Sequence, residues 1–215
     1  MKLRWTKFGD IPHGFLCETP VHLVYRVRDA ASVGALRRLS EDRKLALREA
    51  RLEEATDEAV IERLLAEHFR AYDDLLDAQD QSRYVLQRAG AAEAVIASWQ
   101  TLHAREELTL YAVCVMGNHV HVLLKGRDGQ PEASLGNVVG RHKSYTNHLI
   151  RTATQHPTKI WDEGFYDRYV RPGTFWRVLW YILQNPAKAG LVGDWHDWAG
   201  TYVDERCLPG LEALR

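Results

Sequence analysis

Two spacings of apolar residues divide this chain. Over residues 21–27 (VHLVYRV) β-branched and aromatic side chains follow one another until Arg28-Asp29 closes the run like a turn, which is the pattern of a strand. From about residue 32 to 77 the period lengthens. Leu36, Leu39, Leu45, Leu47 and Leu52, then Val60, Ile61, Leu64, Leu65, Phe69, Tyr72, Leu75 and Leu76, recur at helical spacing among arginines and glutamates. Ala55-Thr56-Asp57-Glu58 interrupts them, with Thr56 placed to cap a second helix and Asp57 and Glu58 suited to its first turn. The spacing predicts an antiparallel helical hairpin inserted into a smaller fold. An amphipathic pair of this kind is expected to lie on its own domain, and a coiled-coil partner surface is the other use.

Downstream, residues 89–103 predict a helix. Residues 108–116 and 120–124 predict two strands joined tightly at Gly117-Asn118, both of which tolerate positive φ. A helix is expected over residues 135–151 with Ser134 as its cap, then a short strand over 168–171, then a helix over 174–184 that stops at Pro186. The order β, α, β, β, α, β, α is that of an α+β ferredoxin-like sandwich with an antiparallel sheet and an extra terminal helix. With 215 residues and no internal repeat, the chain reads as a single domain, 1–215, that carries residues 32–80 as an inserted helical hairpin.

Composition narrows the setting. Cys17, Cys114 and Cys207 stand far apart without a CxxC pair, which argues against a disulfide framework and a cysteine-based zinc site and fits a reducing compartment. The first residues lead into polar sequence without an apolar leader, and no run approaches the length of a membrane span, so a cytoplasmic protein without a membrane partner is expected. A net charge of −1 says nothing for nucleic acid, but its distribution is uneven. Residues 37–80 hold 8 cations against 13 anions, whereas residues 125–188 hold 10 against 5. The basic half is the one a phosphate-binding surface requires.

That half also holds Asn118-His119-Val120-His121. On a strand the two imidazoles project to one side, and two residues is the spacing at which both reach one ion. A His-x-His pair that simply sits in a core or on a surface is the commoner use of that spacing. Further on, Tyr181 and Asn185 are four apart and share a helix face, while Val178, Leu179, Ile182 and Leu183 supply anchoring. A phenol with an ordinary pKa near 10 is a poor nucleophile without a neighbouring cation. A divalent ion held by two imidazoles binds a phosphate oxygen and stabilises charge in an in-line displacement. These parts make a phosphotyrosine chemistry conceivable, and a core tyrosine with a satisfied hydroxyl is the competing reading.

Taken together, VMGNHVHVLL, KSYTNHLIR, WDEGFYDRYVR and YILQNPAKAGLV, in that order over residues 108–192, resemble the HUH (histidine, hydrophobic, histidine) single-tyrosine transposases, and most closely the REP-associated tyrosine transposases. The resemblance implies that His119 and His121 bind a divalent metal, Mg²⁺ or Mn²⁺, and that Asn185 completes the site. It implies that Tyr181 attacks a DNA phosphate to leave a 5′-phosphotyrosine and a free 3′-hydroxyl. The implied partner is single-stranded DNA with imperfect hairpins of the REP type. Two departures stand out: relatives read MPNHVH where this chain has Gly117, which is expected to loosen the turn, and Pro186 directly follows Asn185.

Arg141, Lys143, Arg168 and Arg171 are the candidate phosphate contacts, and exposed members of Trp161, Phe165, Tyr166, Trp195 and Trp198 are candidates for base stacking. His142 and His148 are taken as surface histidines, and Tyr145 is the rival nucleophile. Other readings are a domesticated hairpin-binding protein with little cleavage, a hydrolase acting through activated water, and a docking protein that uses the acidic hairpin. Both a monomer and a homodimer are compatible with the resemblance.

Overall fold

The computed structural model describes residues 5–8, 11–52 and 58–213. In chain order the elements are β1 (Trp5–Phe8), β2 (Ile11–Leu16), β3 (Val21–Arg26), α1 (Val33–Leu52), α2 (Glu58–Asp77), α3 (Ala91–Ala104), β4 (Thr109–Val115) and β5 (His119–Lys125). They continue with β6 (Ala133–Ser134), α4 (Leu135–Thr154), β7 (Tyr166–Tyr169), α5 (Phe175–Lys188), β8 (Thr201–Val203) and α6 (Leu208–Glu212). The expected cap at Thr56 and the leader-free first residues lie outside the described residues.

The chain divides into two compact units. Asp29–Asp80 is the antiparallel pair α1 and α2, each 20 residues long. Exposed i,i+4 pairs such as Arg37 with Glu41 and Arg63 with Glu67 decorate it, and pairs of this kind add only tenths of a kcal/mol. Its buried His68 is held neutral, its pKa lowered to about 4 by burial and then by the charge of Arg43.

The other unit, Met1–Arg28 with Gln81–Arg215, is built on a five-stranded antiparallel sheet of order β7-β3-β5-β4-β8. Counted without β8, the order is that of the ferredoxin-like sandwich. β3 and β5 are buried along nearly their whole length, as expected of central strands covered on both faces. One face carries Tyr25 against Trp99 of α3 and His142 of α4. The opposite face carries Ala112, Cys114 and Leu123, packed by Leu179, Ile182 and Leu183 of α5. A second sheet, β1-β2-β6, is fastened to β7: His13 Nδ1 lies 2.5 Å from Asp167 Oδ1, and the Tyr169 hydroxyl accepts from Phe15 N and donates to Phe15 O, both at 2.8 Å. No helix among the described residues is long and apolar enough to cross a membrane.

Three expectations need correction. β7 spans Tyr166–Tyr169 instead of 168–171, because its place is set by pairing with β3, Val21 opposite Tyr169 and Val24 opposite Tyr166, a long-range fact the local sequence does not carry. α5 does not stop at Pro186 but runs through it to Lys188. Neither Gly117 nor Asn118 takes positive φ, and the turn is tight for another reason. A Cβ on Gly117 would lie 2.1 Å from the main-chain oxygen of Gln81, so the glycine is there for close approach and its turn is firmly packed.

Candidate metal and nucleophile site

β5 begins at His119, where Met116 N donates to His119 O and Val27 N to Asn118 O, both at 2.9 Å, so backbone bonds fix the turn on both sides of the ligand pair. Strand alternation then puts His119 and His121 on the α5 face of the sheet, both buried. Their Nε2 atoms face each other at 2.9 Å. The two other ring nitrogens are engaged: His119 Nδ1 lies 2.6 Å from Asn118 Oδ1, and His121 Nδ1 lies 3.1 Å from His22 Nε2. Burial, and secondarily the charge of Lys188, lowers the pKa of His121 to about 3, so its ring is neutral and keeps a lone pair for a cation at physiological pH.

α5 supplies the other wall. Its Tyr181 ring stands edge-on 6.3 Å from the His121 ring and 6.2 Å from the His22 ring. Lys188, two turns later, holds its ammonium 4.5 Å from the Tyr181 ring centroid. Asn185 lies between them on the same helical face and is buried. Its Nδ2 donates to the carbonyls of Tyr181 at 3.0 Å and Ile182 at 3.3 Å, while its Oδ1 is buried without a hydrogen-bond partner. A buried amide oxygen left unsatisfied is unusual, since such an atom forfeits about 1–3 kcal/mol of solvation, and a cation would repay that loss.

The donor set therefore suits a divalent metal. Two ligand nitrogens bound at about 2.1 Å and set at right angles stand about 3 Å apart, close to the separation seen here. Imidazole nitrogens with an amide oxygen and no thiolate favour a hard or borderline ion over a closed structural zinc centre.

The sequence brought His119, His121, Asn185 and Tyr181 forward, and the fold gathers them at one place. It passed over His22 and Lys188. Lys188 follows Tyr181 by seven residues, a spacing that keeps it on the same helical face and was there to be used, whereas His22 is joined to His121 only by the pairing of β3 with β5.

The candidate phosphate contacts divide. Arg168 is half-buried on β7 directly opposite His22, on the same face as the histidine pair. Arg171 is exposed just beyond that strand. Arg141 is exposed on α4 and pairs with Glu107 at 2.6 Å. Lys143 is a correction: it is buried, and its ammonium donates to the carbonyls of Asp162, Glu163 and Gly164, at 2.9, 3.4 and 2.7 Å, so it clasps a loop instead of meeting phosphate. His142 is likewise no surface residue, being 2% exposed. Tyr145, 56% exposed on α4, belongs to the helical layer on the other side of the sheet and is displaced as rival nucleophile. Of the stacking candidates, Trp161, Phe165 and Trp195 are buried, Trp198 Nε1 donates to Val115 O at 3.0 Å, and Tyr166 stays half-buried.

Comparison with known proteins agrees with this fold. Residues 79–176 match the family described as IS200-like transposases. A solved REP-associated tyrosine transposase, bound to a REP hairpin, has the same fold, with a TM-score of 0.52 over 95% of this chain and 88% of that one at 14% identity. A second structure, from Deinococcus radiodurans R1 and described provisionally as a transposase, gives a TM-score of 0.39 at 14% identity over 84% of this chain and 98% of its own, too distant to add weight. No curated protein matches in sequence. Over the matched segment the chain is similar to the IS200-like transposases, and that similarity supports transposase-type processing of DNA. The match includes His119 and His121 and ends before Tyr181.

Proposed function

We propose that this protein cuts and rejoins single-stranded DNA beside REP-type hairpins, with Tyr181 as the nucleophile. The observation that carries the reading is the approach of the Tyr181 ring to within 6.3 Å of His121, on a helix that also brings the buried, unsatisfied Oδ1 of Asn185. The hairpin substrate is carried over from the structural neighbour that was solved on one.

In this reading His119, His121 and Asn185 hold a divalent ion, Mg²⁺ or Mn²⁺, which when bound neutralises charge on the scissile phosphate. Leu179, Ile182 and Leu183 lock α5 to the sheet, so Tyr181 is presented from a rigid element while remaining half-buried and reachable by a strand. Its phenolic oxygen gives up its proton and bonds to phosphorus as the bond from phosphorus to the 3′ oxygen breaks. The 3′ oxygen leaves with a proton as a free hydroxyl, and the 5′-phosphate stays on Tyr181. One phosphodiester replaces another, so attack by a 3′-hydroxyl reverses the step and joins strands. Lys188 places positive charge beside the phenol and phosphate, and Arg168 can steady the backbone without reading sequence.

Incubating a hairpin-bearing single strand with the protein and Mn²⁺ should yield a covalent protein-DNA adduct that is absent in Tyr181→Phe. Cleavage that persists in Tyr181→Phe would replace this reading with hydrolysis by activated water, and tight binding without any adduct would leave a hairpin-binding protein.

A further inference from the structure

We infer that His22 is a positioning residue that sets which nitrogen of His121 carries the proton, and so whether the histidine pair can hold a cation. The inference rests on the reading of His119 and His121 as metal ligands. It concerns a residue on β3 that touches that pair from behind.

The hydrogen-bond chain fixes most of the protons. Asn118 Oδ1 only accepts, so His119 carries its proton on Nδ1 and turns an Nε2 lone pair toward His121 Nε2, 2.9 Å away. His121 then has two arrangements. In the first its proton is on Nε2 and is donated to His119, while its Nδ1 accepts from His22 Nε2. In the second its proton is on Nδ1 and is donated to His22 Nε2, so both Nε2 lone pairs face one point. Without a cation the second sets two lone pairs against each other and is unfavourable; with one it is the arrangement required. Moving between them needs a group at position 22 that donates in one state and accepts in the other at the same place.

Imidazole does this by changing its own tautomer, and His22 is placed for it. Val24 pairs directly with His121 across the strands, and His22, two residues along β3, shares that face. Its ring stacks on His121 with centroids 5.3 Å apart and planes 30° apart, at 6% exposure, which leaves the contact little room to slip. An aliphatic side chain at this position would strand His121 Nδ1 in a buried site. An amide could serve either state by turning over. Partners of metal-bound histidines commonly change affinity by about 10–100-fold when removed.

The test uses the full chain and the metal alone. Mn²⁺ affinity, measured by titration calorimetry or by the paramagnetic signal of free Mn²⁺, should fall at least about tenfold in His22→Leu and stay within a few-fold of the parent in His22→Gln. In the unsubstituted protein with saturating Mg²⁺, long-range ¹H–¹⁵N spectra should find the protons of both His121 and His22 on Nδ1. These spectra need no variant, so they decide even where His22→Leu does not fold. Parental affinity in a folded His22→Leu, or a His22 proton that stays on Nε2 with Mg²⁺ bound, would overturn the role of His22 while leaving the metal reading intact. A parent protein that binds no Mn²⁺, and is unaffected by His119→Ala, would overturn both.

Discussion

Asn185 donates its side-chain Nδ2 to the carbonyl of Ile182 at 3.3 Å, the acceptor that Pro186 leaves without a helical partner. A proline inside a helix removes the amide that would bond four residues back and forces that carbonyl to find another donor. Here the preceding side chain provides it, and in doing so turns its oxygen away from the helix. Two roles are thus joined in one amide, and they can be separated. Asn185→Ala should cost about 1–2 kcal/mol of stability by orphaning the Ile182 carbonyl, and should also weaken Mn²⁺ binding. Adding Pro186→Ala restores the helical donor, so the double variant should regain stability in urea melts without regaining cation affinity.

Gly117 and the Gln81 backbone make a second prediction. The main-chain oxygen of Gln81 occupies the space a side chain would need, 2.1 Å from the position of a Cβ, and backbone cannot swing aside as a flexible side chain can. Gly117→Ala should therefore destabilise by about 1–3 kcal/mol in urea denaturation. Gly117→Pro, which restores the relatives' motif, meets the same oxygen and should not rescue it. A stability equal to the parent for either variant would show that the turn has room to relax.

What could be read from the sequence follows the range of each interaction. His119 and His121 were legible because period-two alternation is local, and Tyr181 with Asn185 because four residues make one helical turn. The order of strands and helices was legible for the same reason, each element announcing its own period. His22 was not, since its meaning depends on a partner 99 residues away that only the β3 and β5 pairing supplies. Lys143 read as a surface cation because helical periodicity does not reveal the carbonyls of Asp162 to Gly164 folding over it. The passage of α5 through Pro186 depended on one side-chain hydrogen bond that overrides a rule otherwise sound.

Lys143 and Arg168 should separate structure from DNA contact. Removing the Lys143 ammonium leaves the carbonyls of Asp162 and Gly164 without their shared donor, so Lys143→Met should lower the urea midpoint. Hairpin DNA affinity per folded molecule should stay unchanged. Arg168→Ala should weaken binding and flatten the dependence of log affinity on log salt by about one phosphate contact. Fluorescence anisotropy at several salt concentrations measures both. Equal slopes for Arg168→Ala and the parent would remove Arg168 from the DNA surface.

The buried chain through His142 predicts how stability responds to acid. Trp99 Nε1 donates to the Tyr25 hydroxyl at 3.0 Å, that hydroxyl lies 2.7 Å from His142 Nε2, and His142 Nδ1 lies 2.9 Å from Ser98 Oγ. With Tyr25 donating to Nε2 and Nδ1 donating to Ser98, the donors of Trp99, Tyr25 and His142 are all used and the imidazole is neutral. Burial, and then the neighbouring charge of Lys143, lowers the His142 pKa from the ordinary 6.5 to about 3. The unfolded chain therefore takes up this proton first. Between pH 6.5 and about 3 it binds more protons than the folded protein, so the stabilising contribution is complete above 6.5 and is lost as pH falls through that window. The loss amounts to a few kcal/mol, on the order of 1.4 per pH unit. Urea midpoints taken from pH 7 to pH 4 should fall more steeply for the parent than for His142→Gln, whose amide can accept from Tyr25 but does not titrate. Parallel slopes would mean that the protonated ring is accommodated without breaking the chain from Trp99 to Ser98.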